Sequence, residues 1–172
     1  MDKIIQMALI YAGKKDNPIY REWFYGAPKP GVSAEVTKYN NWLELMKKAP
    51  DCAVFVSFIY DHCGFPLGKG DFAHGYSSVP NILKHYTSTG EVVTKPTPGD
   101  MVIMGWDGKT PMHIGIYLGQ NADGSDHTVE ANTSNPAAQS TSEANGGWTM
   151  EKNRLKKFIL AYIHPKVLDT VN

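Results

Sequence analysis

Two cysteines and six histidines are the residues of this chain best suited to nucleophilic and acid–base chemistry. A thiol attacks a carbonyl only as the thiolate, so a catalytic cysteine needs a base or a positive dipole nearby. Cys52 follows Pro50 and Asp51, where the unpaired N–H groups of a beginning helix would favour a thiolate and could hold an oxyanion. Cys63, beside Gly64 at the far end of the same segment, has neither advantage. Cys52 is therefore the candidate nucleophile, although a free cysteine is more often a small buried apolar residue.

The base that would activate Cys52 should be a histidine, because an imidazole can take the thiol proton and later return it to a leaving amine. His113 is the best placed, at the start of the alternating segment His113–Gly119, where strand register fixes the direction of its side chain. His127, close to the next predicted strand, is the weaker alternative. The other histidines lie in helix or loop contexts that indicate solvated or capping roles: His62, His74, His85 and His164.

A third group should accept a hydrogen bond from the second ring nitrogen and hold the imidazole in place. Glu130 and Asn132 are two residues apart and therefore share one face of a predicted strand. A turn at Asn121–Gly124 joins this strand to the one that begins at His113, so a hairpin would bring the three side chains together. The ordinary alternative for Glu130 is a solvated strand face.

The elements that must position these groups are helices in the first half of the chain and strands in the second. The apolar run Asp51–Cys63 predicts a helix buried on every side, and a buried strand is the competing prediction because its β-branched and aromatic residues favour sheet. Further helices are predicted near the start of the chain, from 32 to 48 and from 79 to 89. Strands are predicted at Met101–Met104, His113–Gly119, His127–Asn132 and Phe158–Ile163. This order predicts an α+β fold, with the polar loop Thr133–Gly147 as one wall of a cleft.

Length and charge restrict the class of protein. The chain has 172 residues, which predicts a single domain over residues 1–172. Basic and acidic residues balance at 17 each, which gives no electrostatic reason to expect nucleic acid or an anionic membrane as partner. No apolar run approaches the ~18 residues needed to cross a bilayer. The first twelve residues repeat at helical spacing, so we expect a helix of the fold rather than a secretion signal, and a protein made in the cytoplasm.

Four segments together resemble the CHAP domain, the cysteine, histidine-dependent amidohydrolase/peptidase of phage endolysins, tail lysins and bacterial autolysins. The segments are Asp51–Ser57, Pro98–Val102, His113–Gly119 and Val129–Ser134, in the order and spacing of that domain. The resemblance implies a papain-like α+β fold, in which N-terminal helices, including a central Cys-bearing helix, pack on an antiparallel β-sheet. It also implies catalytic roles, with the nucleophile first, then the base, the residue that orients it and an auxiliary polar group: Cys52, His113, Glu130 and Asn132.

The residue before the nucleophile departs from this pattern. Many CHAP domains have Trp before the Cys, whereas this chain has Asp51, which is more similar to the related NlpC-type cell-wall peptidases. Asp51 would belong to the substrate subsite beside the thiol, and it would oppose thiolate formation if it lay close to the sulfur. Trp106 and Trp148, placed in loops near the site, are further candidates for substrate binding, with a partly buried anchoring role as the alternative.

The resemblance predicts a peptidoglycan hydrolase that cleaves an amide bond of the wall peptide, either as an N-acetylmuramoyl-L-alanine amidase or as an endopeptidase. Alternatives are a catalytically weak module that binds wall or protein, and a thiol amidase acting on an amide outside the wall. No metal site and no cofactor are predicted, since Asp123–Asp126 supplies only two carboxylates. We expect a monomer of phage or prophage type that acts at the bacterial wall, helped by a wall-binding domain or a virion component.

Overall fold

The computed structural model describes residues 2–15, 19–25, 51–68, 70–71, 75–134 and 147–170. The helix predicted from 32 to 48 and most of the loop Thr133–Gly147 lie outside these residues. His74 lies outside them as well. The nucleophile, base and orienting residue predicted from the sequence all lie within them.

Four helices are described, and the third begins at the candidate nucleophile. They are α1 Asp2–Tyr11, α2 Ile19–Tyr25, α3 Cys52–His62 and α4 Val79–Ser88. The segment after Asp51 is thus a helix and not the competing strand. It stays helical despite its β-branched residues because every side chain from Cys52 to Tyr60 is buried, and tertiary packing outweighs intrinsic preference. None of the described helices is both long and apolar enough to span a membrane.

Within the described residues, seven strands form one antiparallel sheet in the order β1-β6-β5-β4-β3-β7-β2. The strands are β1 Lys14–Lys15, β2 Val92–Val93, β3 Met101–Met104, β4 His113–Gln120, β5 Asp126–Thr133, β6 Trp148–Arg154 and β7 Ile159–Ile163. Short 3-10 turns occupy Lys156–Phe158 and Lys166–Thr170. The fold is therefore α+β, as predicted, with a larger sheet than the sequence indicated.

The apolar core joins the helices to the sheet. Alternate residues of the central strands enter it, including Ile103 from β3, Ile114 and Ile116 from β4, and Val129 from β5. Helix α3 packs directly against β4 and β5, the strands that carry the polar candidates. In the register of β3 and β4, Met104 is opposite His113, which places the candidate base at the very start of β4.

Candidate active site

Cys52 occupies the first position of helix α3 and is almost completely buried, with 2% of its surface exposed. Asp51 precedes the helix and makes no side-chain cap; its backbone oxygen accepts the first helical bond, 2.8 Å from the nitrogen of Phe55. The N–H groups of the first turn are therefore not capped by the Asp51 side chain. The helix begins at Cys52, as the sequence predicted, so the positive end of its dipole is at this residue.

His113 is fully buried and its two ring nitrogens have different surroundings. Nε2 lies 2.8 Å from Oε2 of Glu130, while Nδ1 has no hydrogen-bond partner within the described part of the chain. Burial lowers the pKa of the imidazole, but interactions with the Cys52 thiol and the Glu130 carboxylate outweigh burial and raise the pKa to about 9. The thiol is thus close enough to influence the ring, and Nδ1 is the nitrogen left for it.

Glu130 is a fully buried carboxylate held from three sides. Arg154 donates from Nε to Oε1 at 2.8 Å and from Nη2 to Oε2 at 2.6 Å, while Thr128 donates its hydroxyl to Oε1. Burial raises the pKa of this carboxyl, yet the bonds and charges of Arg154 and His113 lower it well below its ordinary value. Glu130 is therefore ionised at neutral pH and faces His113 as a hydrogen-bond acceptor.

Gly115 leaves the space in which the Glu130 side chain lies. A Cβ atom built on Gly115 would stand 2.7 Å from Cγ of Glu130 and 2.9 Å from the carbonyl oxygen of Val129, closer than real Cβ contacts come. The small residue two positions after the base is thus a requirement of the site, because a side chain there would push the carboxylate away.

Asp51, the residue before Cys52, has one carboxylate oxygen paired and the other unpaired among the described residues. Its Oδ2 is 3.0 Å from a guanidinium nitrogen of Arg21 on α2, while Oδ1, also buried, has no hydrogen-bond partner within the described residues. Burial raises the pKa of Asp51, although Arg21 and, more weakly, His113 lower it. Asp51 therefore lies near enough to His113 to interact with it electrostatically, and one of its two oxygens has no partner among the described residues.

The model of the NlpC/P60 family matches residues 37–153, a stretch that includes Cys52, His113 and Glu130. The chain belongs to the NlpC/P60 family. This is a family of cysteine peptidases that act on cell-wall peptides, related to CHAP but distinct from it. A search of curated proteins finds no match. The resemblance to CHAP is therefore confirmed at a coarser level, that of a related family of cysteine peptidases acting on cell-wall peptides, and Asp51 before Cys52 is the feature that the sequence analysis compared with NlpC-type peptidases.

The remaining predicted residues surround this NlpC/P60 site in different ways. The ring centroids of Trp106 and His113 are 5.8 Å apart. The guanidinium of Arg154 stacks on the ring of Trp106, 4.8 Å from the centroid of that ring. Trp148 was predicted in a loop, which is wrong: it begins strand β6 and pairs with Lys15 and Thr133. His127, the alternative base, instead pairs with Glu151, 2.9 Å away.

Asn132 is buried and has a φ of 56°, in the left-handed region. The pairing of β5 with β6 is irregular between Glu130 and Thr133, so a bulge interrupts the alternation that placed Asn132 on the face of Glu130. Asparagine tolerates this backbone conformation better than most residues do. The structure therefore explains why the chain has Asn at this turn of β5 independently of any catalytic role.

Arg154 and Thr128 are site residues that the sequence reasoning missed. Thr128 could have been found from its spacing, two residues before Glu130 on the same strand. Arg154 lies one position beyond the stretch matched by the NlpC/P60 model, in a strand whose polar sequence gave no sheet signal. The available indication was electrostatic, since a carboxylate buried next to a histidine needs a further compensating charge.

Within the described residues, no group of three or more histidine, cysteine or acidic side chains could hold a metal ion. Both cysteines are free thiols, and Cys63 donates to the backbone oxygen of Lys3 at the far end of α3. Burial raises the pKa of the Cys63 thiol, which disfavours its thiolate. These surroundings leave Cys52 as the thiol suited to nucleophilic chemistry.

Proposed function

We propose that this NlpC/P60 protein hydrolyses an amide bond of the peptidoglycan peptide, with Cys52 as nucleophile and His113 as base. The observation that carries the proposal is the placement of one buried imidazole between a thiol at a helix N-terminus and an ionised carboxylate. Glu130 occupies Nε2, which fixes the ring and leaves Nδ1 for the thiol proton.

The proposed reaction begins when Cys52 gives its proton to Nδ1 of His113. The thiolate attacks the amide carbonyl, and the resulting oxyanion is stabilised by the backbone N–H of Cys52 at the start of α3. The carbon–nitrogen bond then breaks, and the leaving amine takes the proton from the imidazolium. Water attacks the thioester and gives a proton back to Nδ1, which releases the carboxylic acid and restores the thiol.

Glu130 acts on the reaction through His113. Its carboxylate accepts from Nε2, holds the imidazole in one orientation and stabilises the imidazolium that forms twice in each cycle. The Cys52 thiol and the Glu130 carboxylate raise the pKa of His113 to about 9, which favours the protonated form of the ring. Asn132, at the bulge of the same strand, is proposed as an auxiliary polar group.

The substrate is proposed to lie against Asp51 and the indole rings. Asp51 presents a buried carboxylate oxygen without a partner among the described residues, which suits an N–H or ammonium donor of a peptide stem. Trp106, half-buried above His113, would cover the substrate near the thiol. Trp148, half-buried at the start of β6, is proposed as a second wall.

The setting in which the protein works is also a proposal. We infer a single catalytic domain over residues 1–172, monomeric, made in the cytoplasm and acting at the bacterial wall as phage or prophage lysins do. Its formal net charge of zero provides no attraction to an anionic wall, which supports a separate wall-binding domain or a virion component as partner.

Digestion of purified Gram-positive and Gram-negative sacculi tests the proposal, with products identified by mass spectrometry. Wild type and Cys63→Ala should release peptides with the same new termini, while Cys52→Ala should release none. Free lactyl ends would identify an amidase, and new amino termini an endopeptidase. Equal release by wild type and Cys52→Ala would refute the thiol mechanism. Sedimentation with sacculi but no release by any variant would instead favour a binding module.

A further inference from the structure

Arg154 is the residue most closely tied to the site for which neither the sequence pattern nor the family gives a role. It lies at the end of β6, 5% exposed, and donates to both oxygens of Glu130. A third bond, 3.2 Å long, runs from Nη2 to the hydroxyl of Thr133, and the guanidinium stacks on Trp106. These contacts fix the guanidinium in position and direction, so that it in turn fixes the carboxylate.

We propose that Arg154 is a positioning residue of the thiol site, which acts on His113 through Glu130 by orienting and neutralising the carboxylate. The inference rests on the proposed function, because a loss in kcat can be measured only if the protein is the proposed hydrolase. The position and charge of Arg154 do not depend on the substrate. With Arg154 in place, His113 faces an acceptor whose negative charge is balanced. The imidazole can then both take and release a proton in each cycle.

The other charged groups nearby do not replace Arg154. Asp126 is the cross-strand neighbour of Arg154, but its carboxylate is taken by Lys156 and the hydroxyl of Tyr162. On the α3 side of His113, Asp51 pairs with Arg21. Lys152, on the same strand and two residues from Arg154, directs its amine to Ser134. Within the described residues, Arg154 is therefore the permanently charged group that pairs with Glu130, beside the imidazole of His113.

Removal of Arg154 should change the proton affinity of His113 and the rate together. In Arg154→Met the carboxylate is uncompensated, so deprotonation of the imidazole becomes harder and His113 should keep its proton to a higher pH than in wild type. The carboxylate also loses two fixed bonds, and a displacement of ~1 Å at such a group lowers kcat by about a hundredfold. KM should stay within a few-fold, because Arg154 is placed against Glu130 rather than against the substrate.

The experiment measures kcat and KM on sacculus peptides together with the pH titration of the His113 ring nitrogens by NMR, assigned with His113→Gln. Lys152→Met is the matched control, since it removes a cation from the same strand and should leave both readouts as in wild type. Arg154→Lys keeps the charge but not the paired donors, so its titration should approach wild type while kcat recovers only in part.

A double-mutant cycle tests whether Arg154 acts through Glu130, and Arg154→Lys, which keeps the charge beside the buried carboxylate, keeps the inference testable if Arg154→Met folds poorly. If Arg154 acts through Glu130, Arg154→Met should lower kcat about a hundredfold in the wild-type background. It should have no effect, or restore activity, in Glu130→Gln, where the guanidinium is an unbalanced charge. Equal losses in both backgrounds would overturn the proposal, as would an unchanged His113 titration in Arg154→Met. If wild type cleaves no wall peptide, the proposed function fails, while the titration still decides the role of Arg154.

Discussion

Replacement of Gly115 by Ala tests the geometry of the site with the smallest possible change. A methyl group at this position would stand 2.7 Å from Cγ of Glu130, whereas ordinary contacts begin at 3.4 Å. Glu130 or the strand beside it must therefore give way by about 0.7 Å. The backbone of Gly115 is extended, so alanine meets no conformational penalty in the folded state, and the folded-state effect of the change is the contact with Glu130 and Val129.

The expected losses in stability and in rate follow from this displacement. Overpacking costs about 1–3 kcal/mol, and the reduced chain entropy of the unfolded alanine form offsets about 0.4–1 kcal/mol of it. The net loss of up to about 2.6 kcal/mol corresponds to a fall in Tm of up to about 10 °C for a chain of this size. Since Glu130 is proposed to orient His113, kcat should fall by about ten- to a hundredfold, with KM little changed.

Calorimetry and steady-state kinetics on wall peptides measure the two effects. Ile82→Val is the control, since it removes a buried methyl group from α4 outside the active-site cluster. It should lower the free energy of unfolding by about 0.5–1.5 kcal/mol and Tm by a similar amount, with kcat unchanged. A Gly115→Ala protein with a higher Tm than wild type and the wild-type kcat would refute the reasoning, because the entropy gain would then be the whole effect.

Three further predictions concern other contacts. Burial lowers the pKa of His164, but hydrogen bonds and charges of Asp100 and Asp169 raise it above the ordinary 6.5. The contribution of His164 to the stability of the fold is therefore complete below pH 6.5 and is lost as pH rises through the folded pKa. Urea unfolding of His164→Gln should show a deficit at pH 6 that shrinks at pH 9; an equal deficit at both would contradict this. Tyr60→Phe removes a buried hydrogen bond of 2.6 Å to the Gly99 carbonyl and should lower the free energy of unfolding by about 1 kcal/mol. An unchanged free energy of unfolding would exclude this bond as a contributor to stability. Asp51→Asn should raise KM for wall peptides about tenfold, and a wild-type KM would remove Asp51 from the substrate site.

The predictable parts of the fold were those where apolar alternation and turn residues agree. Strand Met101–Met104 is confirmed at both ends, and the strand predicted from His113 is confirmed at its first residue. Strand Trp148–Arg154 was missed because its buried positions are polar. Thr149 is buried with its hydroxyl bonded to Tyr20, and Arg154 is buried on Glu130, so partners distant in sequence decided what the local pattern could not. Strands β1 and β2, of two residues each, are too short to show any alternation.

The same distinction between local pattern and distant partners applies to the residues of the candidate site. Cys52, His113 and Glu130 could be linked from the sequence because a helix start and a hairpin place them by rules of local geometry. Arg154 could not, since a buried cation is explained only by the carboxylate that compensates it. The bulge at Asn132 was equally hidden, because Asn is also an ordinary strand-end residue and its positive φ leaves no mark on the pattern.

The order of the active-site groups along the chain has a consequence for biosynthesis. The ribosome releases the thiol of Cys52 first, whereas its base, the acceptor for that base and the compensating guanidinium come from three later strands. A nascent or truncated chain that ends before Arg154 therefore carries the proposed nucleophile without the groups proposed to activate it. Because helix α3 must pack against strands made much later, the proposed site is complete only after β4, β5 and β6 have formed.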